Sequence, residues 1–136
     1  MIVLDASLMV ARLLSEPHAG VDDDLYDLLD ASQIVVPSHW PVEISNGLWA
    51  NIRRGRISTS DILGISASLS TFELTVDPSI HLHDIAALTQ FAIAHGLTSY
   101  DAAYVRLALD RSATLATLDR AMRAAAKRLD IPLLPA

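Results

Sequence analysis

The sequence predicts an α/β fold, with a mainly parallel sheet covered by helices on both faces. Two observations predict it. Short apolar runs such as Ile2-Val3-Leu4, Gln33 to Val36 and Thr114 to Leu118 alternate with segments of helical periodicity. Strands separated by helices need crossover connections, which make neighbouring strands parallel. A third observation concerns chemistry. Asp5 and Asp119 stand where two of the apolar runs end, Glu43 interrupts an otherwise apolar helical segment, and Asp101 begins another.

The elements follow in order. Ile2 to Leu4 reads as a buried strand and Ala6 to Leu14 as a helix, with Asp5 or Ser7 at its cap. Glu16-Pro17-His18-Ala19-Gly20 breaks that helix. Val21 to Leu29 is helical, and the acids Asp22, Asp23 and Asp24 in its first turn suit the helix dipole. Gln33 to Val36 is a strand stopped by Pro37. Ser38 is expected to cap the next helix, which carries Pro41 in its first turn and runs to about Arg54, before Gly55. A helix from about Ser60 to Phe72 precedes the strand Leu74 to Val76. Leu82 to His95 is a helix ended by Gly96, and Tyr100 to Asp110 is another. The strand Thr114 to Leu118, the helix Arg120 to Leu129 and the strand Ile131 to Leu134 complete the chain.

The sequence has 136 residues and reads as one domain, 1–136, without linker or repeat. Cysteine is absent, which removes disulfides, thiolate metal sites and a cysteine nucleophile. Met1 runs directly into Ile2-Val3-Leu4, with no basic segment ahead of an apolar one, so no secretory signal is expected. No apolar stretch is long enough to span a membrane, and a cytoplasmic protein is expected. Net charge is −6, from 16 acids and 10 bases, which argues against a general nucleic-acid coating protein. A nuclease stays open, because bound cations neutralise an acidic site and attract phosphate. Nine of the ten bases are Arg, the residue suited to bidentate phosphate contacts. Arg53-Arg54-Gly55-Arg56 reads either as a favourably charged helix end or as a phosphate contact.

In open α/β sheets, sites form beyond the carboxyl ends of the strands. Asp5 and Asp119 sit at such ends, where each can also cap the following helix, and capping leaves carboxylate lone pairs free. Glu43 shares a helical stripe with Asn46, Gly47 and Ala50, beside the apolar stripe of Ile44, Leu48 and Ile52. Asp101 shares the face of Val105 and Ala108, and Thr98-x-x-Asp101 has the form of a capping box. If the fold gathers these four acids, they form an oxygen-lined site for Mg²⁺ or Mn²⁺, of the kind that serves phosphodiester hydrolysis. Ser7 and Thr117, each two residues from one of these acids, can orient water or phosphate, or bond local backbone. His81-x-His83-Asp84 has no matching ligands elsewhere for zinc. Trp40 and Trp49 are read as core or interface residues, candidates for dimer or partner contacts.

With these segments in view, the chain resembles the PIN-domain nucleases. The resemblance rests on Ile2-Val3-Leu4-Asp5-Ala6-Ser7, Pro41-Val42-Glu43-Ile44-Ser45-Asn46-Gly47-Leu48, Thr98-Ser99-Tyr100-Asp101-Ala102-Ala103-Tyr104 and Ala116-Thr117-Leu118-Asp119. In size the chain looks most like the VapC toxins of bacterial toxin–antitoxin pairs. The resemblance implies a Rossmann-like three-layer α/β/α fold and Mg²⁺- or Mn²⁺-dependent cleavage of RNA. It also implies a homodimer and a cognate antitoxin whose tail occupies the active site. The family's acidic quartet maps onto Asp5, Glu43, Asp101 and Asp119, with Asn46 and Thr117 as supporting residues. A PIN-like RNA-processing or binding protein outside a toxin–antitoxin pair is the alternative. A phosphoacceptor domain fits poorly, because Ala6 follows Asp5 and Lys127, the sole Lys, lies within a helix. A dehalogenase-like phosphotransferase would need Asp where Ser7 stands.

Overall fold

The computed structural model describes residues 1–16, 21–78 and 80–136. Five strands form one sheet: β1 (Ile2–Leu4), β2 (Ile34–Pro37), β3 (Leu74–Asp77), β4 (Thr114–Ala116) and β5 (Leu133–Leu134). Their order is β3-β2-β1-β4-β5 and every pairing is parallel. The helices are α1 (Ala6–Leu13), α2 (Asp23–Asp30), α3 (Trp40–Arg53), α4 (Ile62–Leu69), α5 (Ile85–His95), α6 (Ser99–Asp110) and α7 (Arg120–Arg128). The crossovers that parallel pairing requires put α1 and α3, which pack together, on one face, and the contiguous α5, α6 and α7 on the other. The result is the expected three-layer α/β/α fold.

The central strands show why the sheet is doubly covered. Val3, Leu4, Val36, Leu115 and Ala116 are fully buried, with no alternation of apolar and polar residues. Leu8 and Met9 of α1 and Tyr104 and Val105 of α6 close the core. Each large apolar side chain buried this way contributes roughly 1.5–3 kcal/mol. The edge strand β3 is only partly covered, and Thr75 and Val76 are exposed.

Several boundaries shift from the sequence reading for local reasons. The helix expected from Ser60 to Phe72 opens as a 3-10 turn, Thr59–Asp61, held by Ser58 and Asp61, and α4 ends at Leu69. The helix expected from Leu82 likewise begins with a 3-10 turn, Leu82–Asp84, and closes at Gly96 with φ 67°. α2 starts at Asp23 rather than Val21, capped by Asp22, which accepts from the Leu25 N–H at 3.0 Å. Ser38 does not cap α3; His39 occupies that position without a side-chain cap, and its ring turns toward α6 instead. β4 stops at Ala116, so Thr117 and Leu118 leave the ladder. The break assigned to Pro17 through Gly20 lies outside the described residues.

Candidate active site

The strand order places the change of winding direction between β1 and β4: from β1 the chain proceeds outward to β2 and β3, and from β4 outward to β5. A crevice opens at such a point, beyond the carboxyl ends of the strands. Leu4 and Ala116 are register partners, so Asp5 and Thr117 leave the sheet side by side.

Asp5 is buried, at 5% exposure. Its Oδ2 accepts from the Thr117 and Ser7 hydroxyls, both at 2.8 Å, and its Oδ1 accepts from the Ser7 N–H at 3.2 Å. It therefore caps α1 while being held from the side by β4. Burial pushes its carboxyl above the ordinary range; the Thr117 and Ser7 hydrogen bonds work against this, and nearby Glu43 adds to it. Thr117 is fully buried, donates to Asp5 and accepts from the Asp119 N–H at 3.0 Å. Asp119 caps α7, with Oδ1 accepting from the Met122 N–H at 2.8 Å.

Arg123 ties this turn to the last strand. Its guanidinium donates to the carbonyls of Thr117 and Pro135, both at 2.9 Å, and more distantly to that of Leu134 at 3.5 Å. Asp101 lies one turn into α6, whose start is capped by Thr98 accepting from the Asp101 N–H at 3.2 Å. Burial raises its carboxyl pKa first and the Asp119 charge second, the Thr98 hydroxyl opposes them, and Asp5 and Glu43 raise it further. The charges of Asp119, Asp5 and Glu43 thus all act on Asp101.

Glu43 projects from the side of α3. Its Oε1 accepts from the Tyr104 hydroxyl at 2.8 Å. His39 Nε2 lies 2.8 Å from the same oxygen but is not aligned to hydrogen-bond to it. The His39 ring stands edge-on to Tyr100 and Tyr104, at 5.6 and 5.4 Å between centroids. Burial, then Glu43, pushes the Tyr104 phenol far up, so it stays protonated and keeps donating. Neither His39 nor this use of Tyr104 was foreseen. An available signal was the spacing of His39 and Glu43, four apart and hence on one helix face.

Asn46 and Ser7 are exposed and line one groove with Asp5 and Glu43. Of the two tryptophans read as core or interface residues, Trp40 is buried at 3% exposure and serves the core, whereas Trp49 is exposed. Asp77, at the end of β3, is a further buried acid; it pairs with Arg111 at the end of α6.

Among the described residues, no three His, Asp or Glu side chains stand ready as a cage around one ion. The donor set nevertheless suits a hard divalent cation. It consists of oxygens only, and Asp5 and Asp101 are held above the ordinary carboxyl range by burial and by neighbouring acids. A nearby cation relieves both effects.

The sequence matches the PIN domain family over residues 2–128, and the chain belongs to that family. Among individual proteins, it is similar to Ribonuclease VapC3 of Pyrobaculum aerophilum. The two are 32% identical over 119 residues, covering 88% of this chain and 89% of that protein. Its fold is similar to the crystal structure of PAE2754 from Pyrobaculum aerophilum, with TM-score 0.69 and 24% identity over 97% of this chain and 81% of that one. It is also similar to FitAcB from Neisseria gonorrhoeae, with TM-score 0.65 and 20% identity over 98% of this chain and 96% of that one. At these identities the two structures speak to the fold alone.

Proposed function

We propose that this chain is a divalent-metal-dependent endoribonuclease, the toxin of a toxin–antitoxin pair. The observation that supports it most is the Thr117 hydroxyl standing between Asp5 and Asp119 at the crevice of the sheet. The similarity to a protein named as a VapC ribonuclease points the same way.

In this reading Asp5, Glu43, Asp101 and Asp119 hold Mg²⁺ or Mn²⁺. When bound, the cation neutralises charge on the scissile phosphate and makes water more acidic. The protein's own part is positioning. Ser7 and Thr117 fix Asp5, Tyr104 fixes one oxygen of Glu43, and the α7 N-terminus fixes Asp119. Asn46, exposed beside them, presents an amide to the substrate. Water adds across one P–O bond, leaving a phosphomonoester on one fragment and a hydroxyl on the other. No side chain forms a covalent intermediate.

Partners follow from the surface. An apolar groove of about 640 Å³ between α3 and α4 is lined by Leu48, Trp49, Ile52 and Ile62. A second apolar face carries Leu82, Ile85 and Ile93, exposed by 87, 58 and 77%. A second copy of the chain and an antitoxin are the expected occupants. No helix among the described residues is long and apolar enough to cross a membrane; the toxin reading places the chain in the cytoplasm.

The test is cleavage of single-stranded RNA with Mg²⁺ or Mn²⁺ titrated against a chelator. Metal-dependent fragments support the enzyme. Binding without cleavage at any metal concentration favours the alternative, a PIN-like RNA-binding protein. Growth arrest on expression, relieved by a small neighbouring gene, separates a toxin from an RNA-processing enzyme.

A further inference from the structure

The groove that contains Asp5 and Glu43 does not end at the acids. It runs between α1 and α3, with a volume of about 510 Å³, past Asn46 and Asn51 to Arg54 and Arg56. Glu43 and Arg54 are eleven positions apart along α3, about 16 Å at a helical rise of about 1.5 Å per residue. One end is therefore acidic, and the other carries Arg54 and Arg56 against a single acid, Glu16, in a chain of net charge −6. Arg53, Arg54 and Arg56 are three of its ten basic residues, concentrated at this one helix end.

The partners of these arginines differ. Arg53 lies over the Trp49 ring at 5.3 Å. Arg56 reaches Glu16 at 3.3 Å. Arg54 has no ion-pair or hydrogen-bond partner among the described residues and lines the groove. On the groove floor Asn51 is buried at 6% exposure; its Nδ2 donates to the Gly47 carbonyl at 2.8 Å, and its Oδ1 has no hydrogen-bond partner. An unused guanidinium fork thus lines the furrow, above a buried Asn51. A ribose–phosphate strand carries its complement, an anionic phosphate.

We propose that this furrow is the path of the RNA strand, with Arg54 holding a phosphodiester several nucleotides from the scissile one and Arg56 assisting. The assignment rests on the ribonuclease reading and deepens it, naming the substrate as a single strand longer than the cleaved step. Charged grooves that track one backbone are how proteins hold single strands without reading their sequence. At about 3.4 Å per stacked nucleotide, about 16 Å corresponds to about five nucleotides, and fewer in an extended strand.

The experiment compares a long single-stranded oligoribonucleotide with a dinucleoside monophosphate, whose one phosphate is the scissile one. Arg54→Ala is expected to raise KM for the long strand about tenfold, by loss of a charged hydrogen-bonded contact, and to leave kcat within about twofold. Its log–log salt slope should fall by about 0.7, one phosphate contact on a single strand. Dinucleotide cleavage should be unchanged, Arg54→Lys should recover part of the loss, and Lys127→Ala on exposed α7 should change nothing. Equal KM for wild type and Arg54→Ala on the long strand, or an equal proportional loss on the dinucleotide, overturns the proposal. Anisotropy binding of the same strand, in an Asp5→Asn background that blocks cleavage, is the independent arm. Weaker binding when Arg54→Ala is added supports the furrow, and equal or absent binding overturns it. A wild type that cleaves no RNA but binds the strand through Arg54 defeats the ribonuclease reading and leaves the furrow standing.

Discussion

Thr117 Oγ1 donates to Asp5 Oδ2 at 2.8 Å across 112 residues of sequence. The pairing of Leu4 with Ala116 makes the contact inevitable, since each residue is the next beyond its strand. The same hydroxyl accepts from the Asp119 N–H, so one buried side chain sets the spacing of two acids. Thr117→Val keeps the shape and removes that bridge. It should destabilise the protein by about 1–3 kcal/mol, the cost of leaving buried polar groups unpaired, and depress cleavage. Thr117→Ser should preserve both. Urea unfolding and RNA cleavage, measured on the two variants together, check this; a fully stable, fully active Thr117→Val contradicts it.

Asp5 and Asp101 are held above the ordinary carboxyl range, first by burial in each case. A raised folded pKa means that, between the unfolded and the folded value, the folded state binds more protons than the unfolded one. Stability in chelator should therefore fall as pH rises from the unfolded value through the raised one, and level off above it. Asp84, held below its ordinary value by the His81 N–H, acts in the opposite sense, but it is a surface group. Asp101→Asn should flatten the falling slope. Urea midpoints across the acidic range provide the check, and an unchanged slope refutes the assignment.

Arg123 joins the Thr117 turn to Leu134 and Pro135 through three carbonyls. Arg123→Gln cannot span them. Faster proteolysis after Asp130 and a lower kcat are expected, whereas Arg120→Gln, exposed one turn earlier on α7, should alter neither. Limited proteolysis and single-turnover cleavage measure the two effects.

Much of this architecture was legible because the informative signals are local. The run Ile2 to Leu4 followed by Asp5, and the run ending before Asp119, announce strands with acids at their carboxyl ends. The apolar stripe of Ile44 and Leu48 fixed which side of α3 faces the core, and both are buried. What stayed hidden depends on contacts distant in sequence. The Tyr104–Glu43 hydrogen bond spans 61 residues and no local periodicity encodes it. Asp77 is buried because Arg111 arrives from the end of α6, 34 residues on. Trp40 and Trp49 share one helix, and only the packing of neighbouring elements buries the first and exposes the second. The 3-10 openings ahead of α4 and α5, each held by a capping box, were missed because the apolar periodicity behind them was extended to the first turn.

α1 and α3 approach closely at Gly47. A Cβ there would lie 2.8 Å from Val10 Cγ2. Gly47→Ala should destabilise the protein by about 1–3 kcal/mol through overpacking, despite the better helix propensity of Ala. Val10→Ala in the same chain makes room, so the double variant should lose less than the two single losses added. A double-mutant cycle in urea measures this coupling, and strict additivity speaks against the contact.

The central claim is that Asp5 belongs to a metal-dependent cleavage site. Asp5→Asn keeps the shape and some capping ability while removing one of four mutually repelling charges. Thermal unfolding with and without Mg²⁺ or Mn²⁺, paired with an RNA cleavage assay, tests it most directly. The account predicts no cleavage by Asp5→Asn, a metal-free stability equal to or above that of the wild type, and loss of most of the stabilisation that metal gives by binding the native state. Asp23→Asn, on exposed α2, should match the wild type throughout. Full cleavage by Asp5→Asn, or equal stabilisation of mutant and wild type by metal, would contradict the account.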